Sequence, residues 1–336
     1  MCRLIRYVSK PCLHCRCVLR PCIAQHLRDS ASPTHTFNTI MSDDDDYVLA
    51  SRPPRWLMNH QELHRRGISI TDLVKPRCLY RTSPFSEGTQ YAVKILAEEF
   101  PEAEMYKELL QDRDPRNHIL PVELLDAETR PILLMPWLSE FYVLQLYKWR
   151  TSDFLKLFFQ IVEGVEYLHD HNITHGDICH GNVVAATERD VHGHPEIRSG
   201  RVYIIDLETV RRLPAPPGVQ PALPLPQAQF RPPIKDMTQL DPYSWDVYCL
   251  GRLFGYMLED VYWRRTIPLI VRSYHRWLVG NERGCEGVCR CRPTARRARQ
   301  ALSIAIRMFR VSEWCGDILT RARHFVASLT SRQPAP

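Results

Sequence analysis

No apolar run in this chain of 336 residues approaches the roughly 18 residues that a membrane span needs, so neither a spanning helix nor a membrane partner is expected. A paired cysteine pattern is missing too. Of twelve cysteines, five crowd the N-terminus as Cys2, Cys12, Cys15, Cys17 and Cys22. "CLHCRC" has zinc-like spacing, yet no second pair follows at a finger-like distance, and Pro11 and Pro21 interrupt the stretch. No metal site is expected there. The remaining cysteines are scattered, as in proteins of a reducing compartment. Acid is nearly absent from residues 1–41, where Arg3, Arg6, Lys10, Arg16, Arg20 and Arg28 face Asp29 alone. That segment holds most of the net charge of +6, and the rest is close to neutral, which argues against a nucleic-acid partner. Internal repeats are also absent.

What is present divides into unequal parts. Residues 1–46 read as a disordered, basic, Cys-rich tail. Their composition also fits a mitochondrial presequence, and "MSDDDD" from Met41 fits a start site preceded by an upstream extension. Cytoplasm or nucleus is the expected location, or the mitochondrion if the presequence reading holds. A small mixed lobe is expected over 47–138. "GTQYAVKIL" alternates as a strand does. "EAEMYKELLQ" reads as a helix with Ala103, Met105, Tyr106 and Leu109 as its apolar side, and "HILPVELLDA" and "PILLMPW" read as strands. A larger helical lobe is expected over 139–330. Phe154, Phe158, Ile161, Val165 and Leu168 step by 4, 3, 4, 3, the stripe of an amphipathic helix, with Thr151 or Ser152 as its cap. "VYIIDLE" reads as a short buried strand. Eight prolines in residues 214–233 exclude helix and central strand and imply an extended, mobile loop. "WDVYCLGRLFGYML" and the Arg-rich tail from about 295 read as helices. The fold class expected is α+β, a small β-rich lobe followed by a larger helical one, with polar loops at a cleft between them.

One of those loops is "THGDICHGNVV", residues 174–184. A His-x-Asp-x4-Asn pattern alone is weak, because polar turns use Asp and Asn for backbone bonding. Its order in the chain strengthens it. Lys94 comes earlier on a strand, Asp206 follows at the end of "VYII", and Asp246 opens a later apolar helix.

Together "YAVK", "HGDICHGN", "IIDLE" and "DVYCLG" resemble the protein-kinase superfamily over roughly residues 65–300. "PRNHILPVELL", "LLMPW" and "LDPYSWDVYCLG" more narrowly resemble the compact kinase-like proteins of mushroom-forming fungi. The resemblance implies ATP and Mg²⁺ as cofactors and a two-lobed kinase-like fold. It implies that Lys94 pairs with the nucleotide phosphates and is held by Glu102, with Glu104 as second choice. Asp177 would take or orient the proton of the attacking hydroxyl, while Asn182 and Asp206 would hold magnesium through oxygen. His175 would pack the loop onto its strand, and Asp246 would hold the loop backbone from below. "LMPW", including Met135 and Trp137, would face adenine.

The chain also departs from that family. Between residues 70 and 90 the single glycine is Gly88, so no Gly-rich loop cradles phosphate. Gly176 stands where the Arg that answers an activation-loop phosphate is usual. Cys179 replaces the loop lysine, and His180 beside it is a candidate substitute. Glu208 replaces the glycine after the metal aspartate. Pro233-Ile234 stands for Pro-Glu, which would leave Arg292 without its carboxylate. Three functions therefore compete. The first is an atypical, weak kinase moving the ATP γ-phosphate to Ser/Thr hydroxyls of an unidentified protein. The second is a pseudokinase acting as a nucleotide-binding scaffold. The third is a small-molecule kinase of the aminoglycoside or choline type, suggested by "HGD" and "IDLE".

Overall fold

The computed structural model describes residues 53–82, 88–97, 101–125, 130–138, 144–281 and 287–330. The tail expected over 1–46 lies outside them. So do most of the turn before Gly88 and the stretch that continues the "LMPW" segment.

The small lobe is built on one antiparallel sheet. Its strands are β1 (Ile70–Lys75), β2 (Leu79–Thr82), β3 (Tyr91–Ile95), β4 (Glu123–Leu125) and β5 (Ile132–Pro136), in spatial order β1-β2-β3-β5-β4. Side chains alternate across a strand, and the two faces of β3 and β5 have different neighbours. Val93, Ile95, Ile132 and Leu134 face a small core closed by Leu57 and Leu63. These two leucines come from the short helices α1 (Arg55–Met58) and α2 (Gln61–Arg65). Ala92, Leu133 and Met135 face the main core instead. Lys94 shares a face with Ala92, so the strand period directs it toward the interior of the molecule.

After β3 comes α3 (Glu102–Leu109), which buries Met105, Tyr106 and Leu109, together with Glu102. The strand expected across "HILPVELL" forms only at its end, as β4. Pro121 has no N–H to give a ladder. Ahead of it, Ile119 makes a lone parallel bridge to Ile204.

Four helices dominate the large lobe: α4 (Thr151–Asp170), α5 (Pro242–Val261), α6 (Leu269–Val279) and α7 (Ala295–Thr330). The stripe Phe154, Phe158, Ile161, Val165 and Leu168 is fully buried. Phe254 of α5 packs between Phe154 and Phe158, with ring centroids 5.4 and 4.4 Å away. No side chain caps α4. The two hydroxyls expected to do so are engaged elsewhere: Thr151 with the Tyr262 hydroxyl, and Ser152 donating to Glu313 of α7. Helix α5 has the cap that α4 lacks. Asp241 accepts from the N–H groups of Tyr243 and Ser244, and Pro242 occupies the first position, where its missing N–H costs nothing.

Between α4 and α5 run the short strands β6 (Ile173–Thr174), β7 (Val183–Ala185), β8 (Val202–Ile204), β9 (Arg211–Arg212), β10 (Leu223–Pro224) and β11 (Gln239–Leu240). β6 pairs with β9, β7 with β8 and β10 with β11. The Pro-rich stretch forms neither helix nor central strand, as expected. It is tied down by Tyr243 Oη donating to the Ala215 carbonyl and Tyr248 Oη to that of Arg231. No helix among the described residues is long and apolar enough to cross a membrane.

Candidate active site

Lys94, Glu102 and Asp206 meet at the cleft. The Lys94 ammonium donates to both Glu102 oxygens at 2.9 and 2.8 Å and to Asp206 Oδ1 at 2.6 Å. Glu208 Oε2 lies 3.7 Å from the same nitrogen. Glu102 is the carboxylate brought to Lys94, whereas Glu104 is exposed, two residues on and about 200° around the helix. Glu102 Oε1 also accepts the Leu207 N–H at 3.1 Å, which links α3 to the segment carrying Asp206. Burial works against charge here, but the two carboxylates outweigh it and hold the lysine firmly protonated, above its ordinary value. Burial likewise opposes ionisation of Asp206, and the Lys94 charge and hydrogen bond overcome it, keeping that carboxyl below its usual range. At Glu102 burial prevails and the shift is upward.

Asp206 sits in the left-handed region at φ 65°, and a tight 3-10 turn over Leu207–Thr209 follows it. Strand β8 therefore ends at Ile204, short of the aspartate that the sequence suggests as its continuation. The turn lets the carboxylate leave the strand direction and reach Lys94.

The loop after β6 is held by one buried carboxylate. Asp246, fully buried on α5, accepts the His175 N–H through Oδ2 and the Gly176 N–H through Oδ1, both at 2.8 Å. His169 Nε2 lies 3.0 Å from Oδ2. His175 Nε2 donates to the Ile205 carbonyl at 3.1 Å, and its Nδ1 accepts the Asp177 N–H at 3.3 Å. These opposite roles assign the tautomer. Trp245 Nε1 donates to the Gly176 carbonyl at 2.6 Å, and the Thr209 hydroxyl donates to that of His175 at 2.7 Å.

The same loop carries Asp177 and Asn182. Asn182 Nδ2 donates to the Asp177 carbonyl at 2.9 Å and to its Oδ2 at 3.1 Å. Asp177 Oδ1 accepts the backbone N–H of Gln229 at 2.8 Å. Burial raises the Asp177 carboxyl above its usual range. A pocket of about 540 Å³ opens beside it, lined by residues from Leu225 to Pro232 of the Pro-rich stretch and by Trp245.

Gly176 adopts φ +84°, and a Cβ there would lie 3.0 Å from the Thr209 carbonyl oxygen. An arginine at this position would meet both the left-handed backbone and that wall. Gly176→Ala is expected to cost about 1–2 kcal/mol of stability, measured by urea denaturation. A change under a few tenths would show that the loop relaxes freely.

Cys179 is buried, and burial pushes its thiol up to about 12, so it remains neutral. His180 stacks on Tyr256 of α5, centroids 5.0 Å apart. Met135 is buried on β5 and Trp137 is half-buried, with Arg81 4.7 Å above the Trp137 ring. Arg292 is buried. It donates to the Val279 carbonyl at 2.8 Å and the Ser244 hydroxyl at 3.1 Å, over the Tyr248 ring. Burial draws its guanidinium down to about 10.

Gln229, Thr209 and His169 join the site without a motif to announce them. Gln229 and Gly176 act through backbone groups, which every residue possesses. Trp245 carries a weak signal as the neighbour of Asp246.

The fold is α+β and two-lobed, with Lys94 on the third strand of the sheet, its carboxylate partner on the helix behind it, and the Asp177 loop in the helical lobe. Among solved structures, the autoinhibited serine kinase domain of the giant muscle protein titin is similar to it. The two share 18% sequence identity over 71% of this chain and 80% of that one, with a TM-score of 0.46. No protein-family model and no curated protein matches the chain.

Proposed function

We propose that the cleft binds ATP with Mg²⁺ and transfers the γ-phosphate to Ser/Thr hydroxyls of a protein, weakly and without a loop-phosphorylation switch. The observation that carries this reading is the single ammonium of Lys94 shared by Glu102 and Asp206, with the Asp177–Asn182 pair on the facing loop. Phosphoryl transfer asks the protein mainly for charge and alignment, and these residues supply both. Lys94 is a fixed cation for phosphate oxygens. Asn182 spends its Nδ2 on Asp177, leaving Oδ1 for a metal, and Asp206 retains Oδ2. Both are oxygen donors of the kind that magnesium prefers. Among the described residues no three His, Cys, Asp or Glu side chains form a metal cage. Magnesium needs fewer, since phosphates and water complete its shell. When bound, it would neutralise phosphate charge. Asp177 accepts the proton of the attacking hydroxyl. Met135 and Trp137 border the adenine end.

A second reading, a nucleotide-binding scaffold, is favoured by the Gln229 N–H on Asp177 and by Cys179, which is buried where an ammonium is wanted. By its motifs the chain resembles the compact kinase-like proteins of mushroom-forming fungi. Its free cysteines, among them Cys78, Cys249 and Cys315, suit the reducing cytoplasm or nucleus.

Thermal denaturation with Mg·ATP tests both readings. At about 100 times the dissociation constant, the melting temperature is expected to rise by roughly 5–10 °C. Lys94→Met, checked for fold by circular dichroism, is expected to lose the shift. No shift in the wild type would sink both readings. A shift without turnover would leave the scaffold.

A further inference from the structure

We propose, resting on the reading of the cleft as a nucleotide site, that Lys75 is a second phosphate-binding cation there. Its side chain meets the outer phosphates where a glycine-rich turn would use backbone N–H groups. The charges around Lys94 leave room for such a cation. Glu102, Asp206 and Glu208 share the Lys94 ammonium, and a triphosphate brings further negative charge, of which magnesium would offset a part. Cys179, where the resemblance implies a lysine, is a buried neutral thiol.

The turn between β1 and β2 is poorly made to hold phosphate through its backbone. It reads Lys75-Pro76-Arg77-Cys78. The Cys78 N–H closes it on the Lys75 carbonyl at 3.2 Å, Pro76 has no N–H, and Arg77 takes a left-handed φ of 59°. Proline second and a positive φ third are the pattern of a type II turn. Two of its four N–H positions are thus out of use, and side chains are what it can offer.

The strand register decides which side chain. Lys75 pairs with Leu79, and Leu79 with Lys94. Directly paired residues share a face of the sheet, so the three form one row, and Lys94 shows that the row faces the cleft by reaching Asp206. A register shift at Val74 keeps Leu73, the partner of Tyr80, on the small-core side. Each step across a sheet is about 4.8 Å, which puts the backbones of Lys75 and Lys94 about 10 Å apart. Their four-carbon stems let both ammoniums close on one triphosphate. The Ile95 N–H donates to the Cys78 carbonyl at 2.8 Å, fastening the turn to β3 beside Lys94. Burial opposes ionisation of Asp206, Lys94 overcomes it, and the Lys75 charge adds to the same effect. Arg77, in the same turn, acts elsewhere. Burial raises the Tyr80 hydroxyl and Arg77 counters it, and Tyr80 belongs to the small core on the other face. An exposed lysine at a turn is ordinarily a solvated charge; its row in the sheet and its action on Asp206 set Lys75 apart.

Calorimetric titration of the full chain with Mg·ATP, Mg·ADP and AMP tests this role. Lys75→Met is expected to weaken Mg·ATP binding by ~10-fold or more, Mg·ADP binding less and AMP binding not at all, and Lys75→Arg should recover most of the loss. Lys75 is exposed, so the melting temperature without nucleotide should not move. Arg77→Met should leave every affinity as in the wild type. Equal Mg·ATP affinity in Lys75→Met and wild type would overturn the assignment while the cleft reading stands. So would a loss as large for AMP, or an equal loss in Arg77→Met, which would reduce Lys75 to general surface charge. A wild type that binds none of the three would overturn the cleft reading and the role of Lys75 with it.

Discussion

Asp177→Asn is expected to lower ATP turnover by at least ~100-fold while leaving the Mg·ATP-induced rise in melting temperature in place. The substitution is nearly isosteric, and the loop is positioned mainly by bonds that do not involve this side chain, those from Asp246, Trp245 and Thr209. What disappears is an acceptor for a proton. A carboxylate oxygen takes more than one hydrogen bond, so Asp177 Oδ1 can hold the Gln229 N–H and still receive a substrate hydroxyl. An amide presents one oxygen instead of two and is a far weaker base. The pH dependence has a definite sign. Burial raises the Asp177 carboxyl, so the protonated, inactive form persists to higher pH than for an exposed aspartate. Turnover should rise with pH through that elevated value, and the limb should vanish in the asparagine variant. Turnover within about tenfold of wild type would remove Asp177 from the chemistry.

The parts of this fold that were legible in the sequence are those set by periodicity. The α4 stripe needs only a spacing near 3.6 residues to mark its inner face. The partner of Lys94 was within reach by similar logic, because Glu102 lies on the side of α3 that buries Met105, Tyr106 and Leu109. Contacts made through the backbone were out of reach. Nothing in the letters of the Pro-rich stretch says that the Gln229 N–H rests on Asp177. The turn at Asp206 was hidden for a different reason. "VYIID" has strand-like side chains throughout, and only the left-handed φ of the aspartate ends the strand. The fate of Arg292 was half legible. Its expected carboxylate is absent from the motif, but the carbonyl, hydroxyl and ring that receive it are brought together by tertiary packing.

Asp246→Leu is expected to be the most destabilising single change in the cleft, costing about 3–5 kcal/mol and lowering the melting temperature by roughly 10 °C. Leucine repeats the branching of aspartate and suits an apolar helix, so packing alone would predict only the cost of its extra bulk. Hydrogen bonding predicts the opposite. Asp246 is the acceptor for the buried N–H groups of His175 and Gly176 and a partner of His169. Leucine leaves those groups dry and unsatisfied, at about 1–3 kcal/mol each. Asp246→Asn should fall between wild type and leucine. Its oxygen can serve one N–H, while its amide group must turn donors toward another donor. Urea denaturation followed by tryptophan fluorescence measures the series, with Trp245 adjacent as a reporter. Exposed Glu104→Leu serves as a control and should change stability by less than about 0.5 kcal/mol. If the leucine variant cost under 1 kcal/mol, water or another group would have to reach the loop backbone, and the loop's position would not depend on α5. The expected loss means that the aspartate of the "DVYCLG" helix holds the Asp177 loop in place without touching any reacting atom. Turnover in this variant should then fall together with stability, and both should recover in part in the asparagine form.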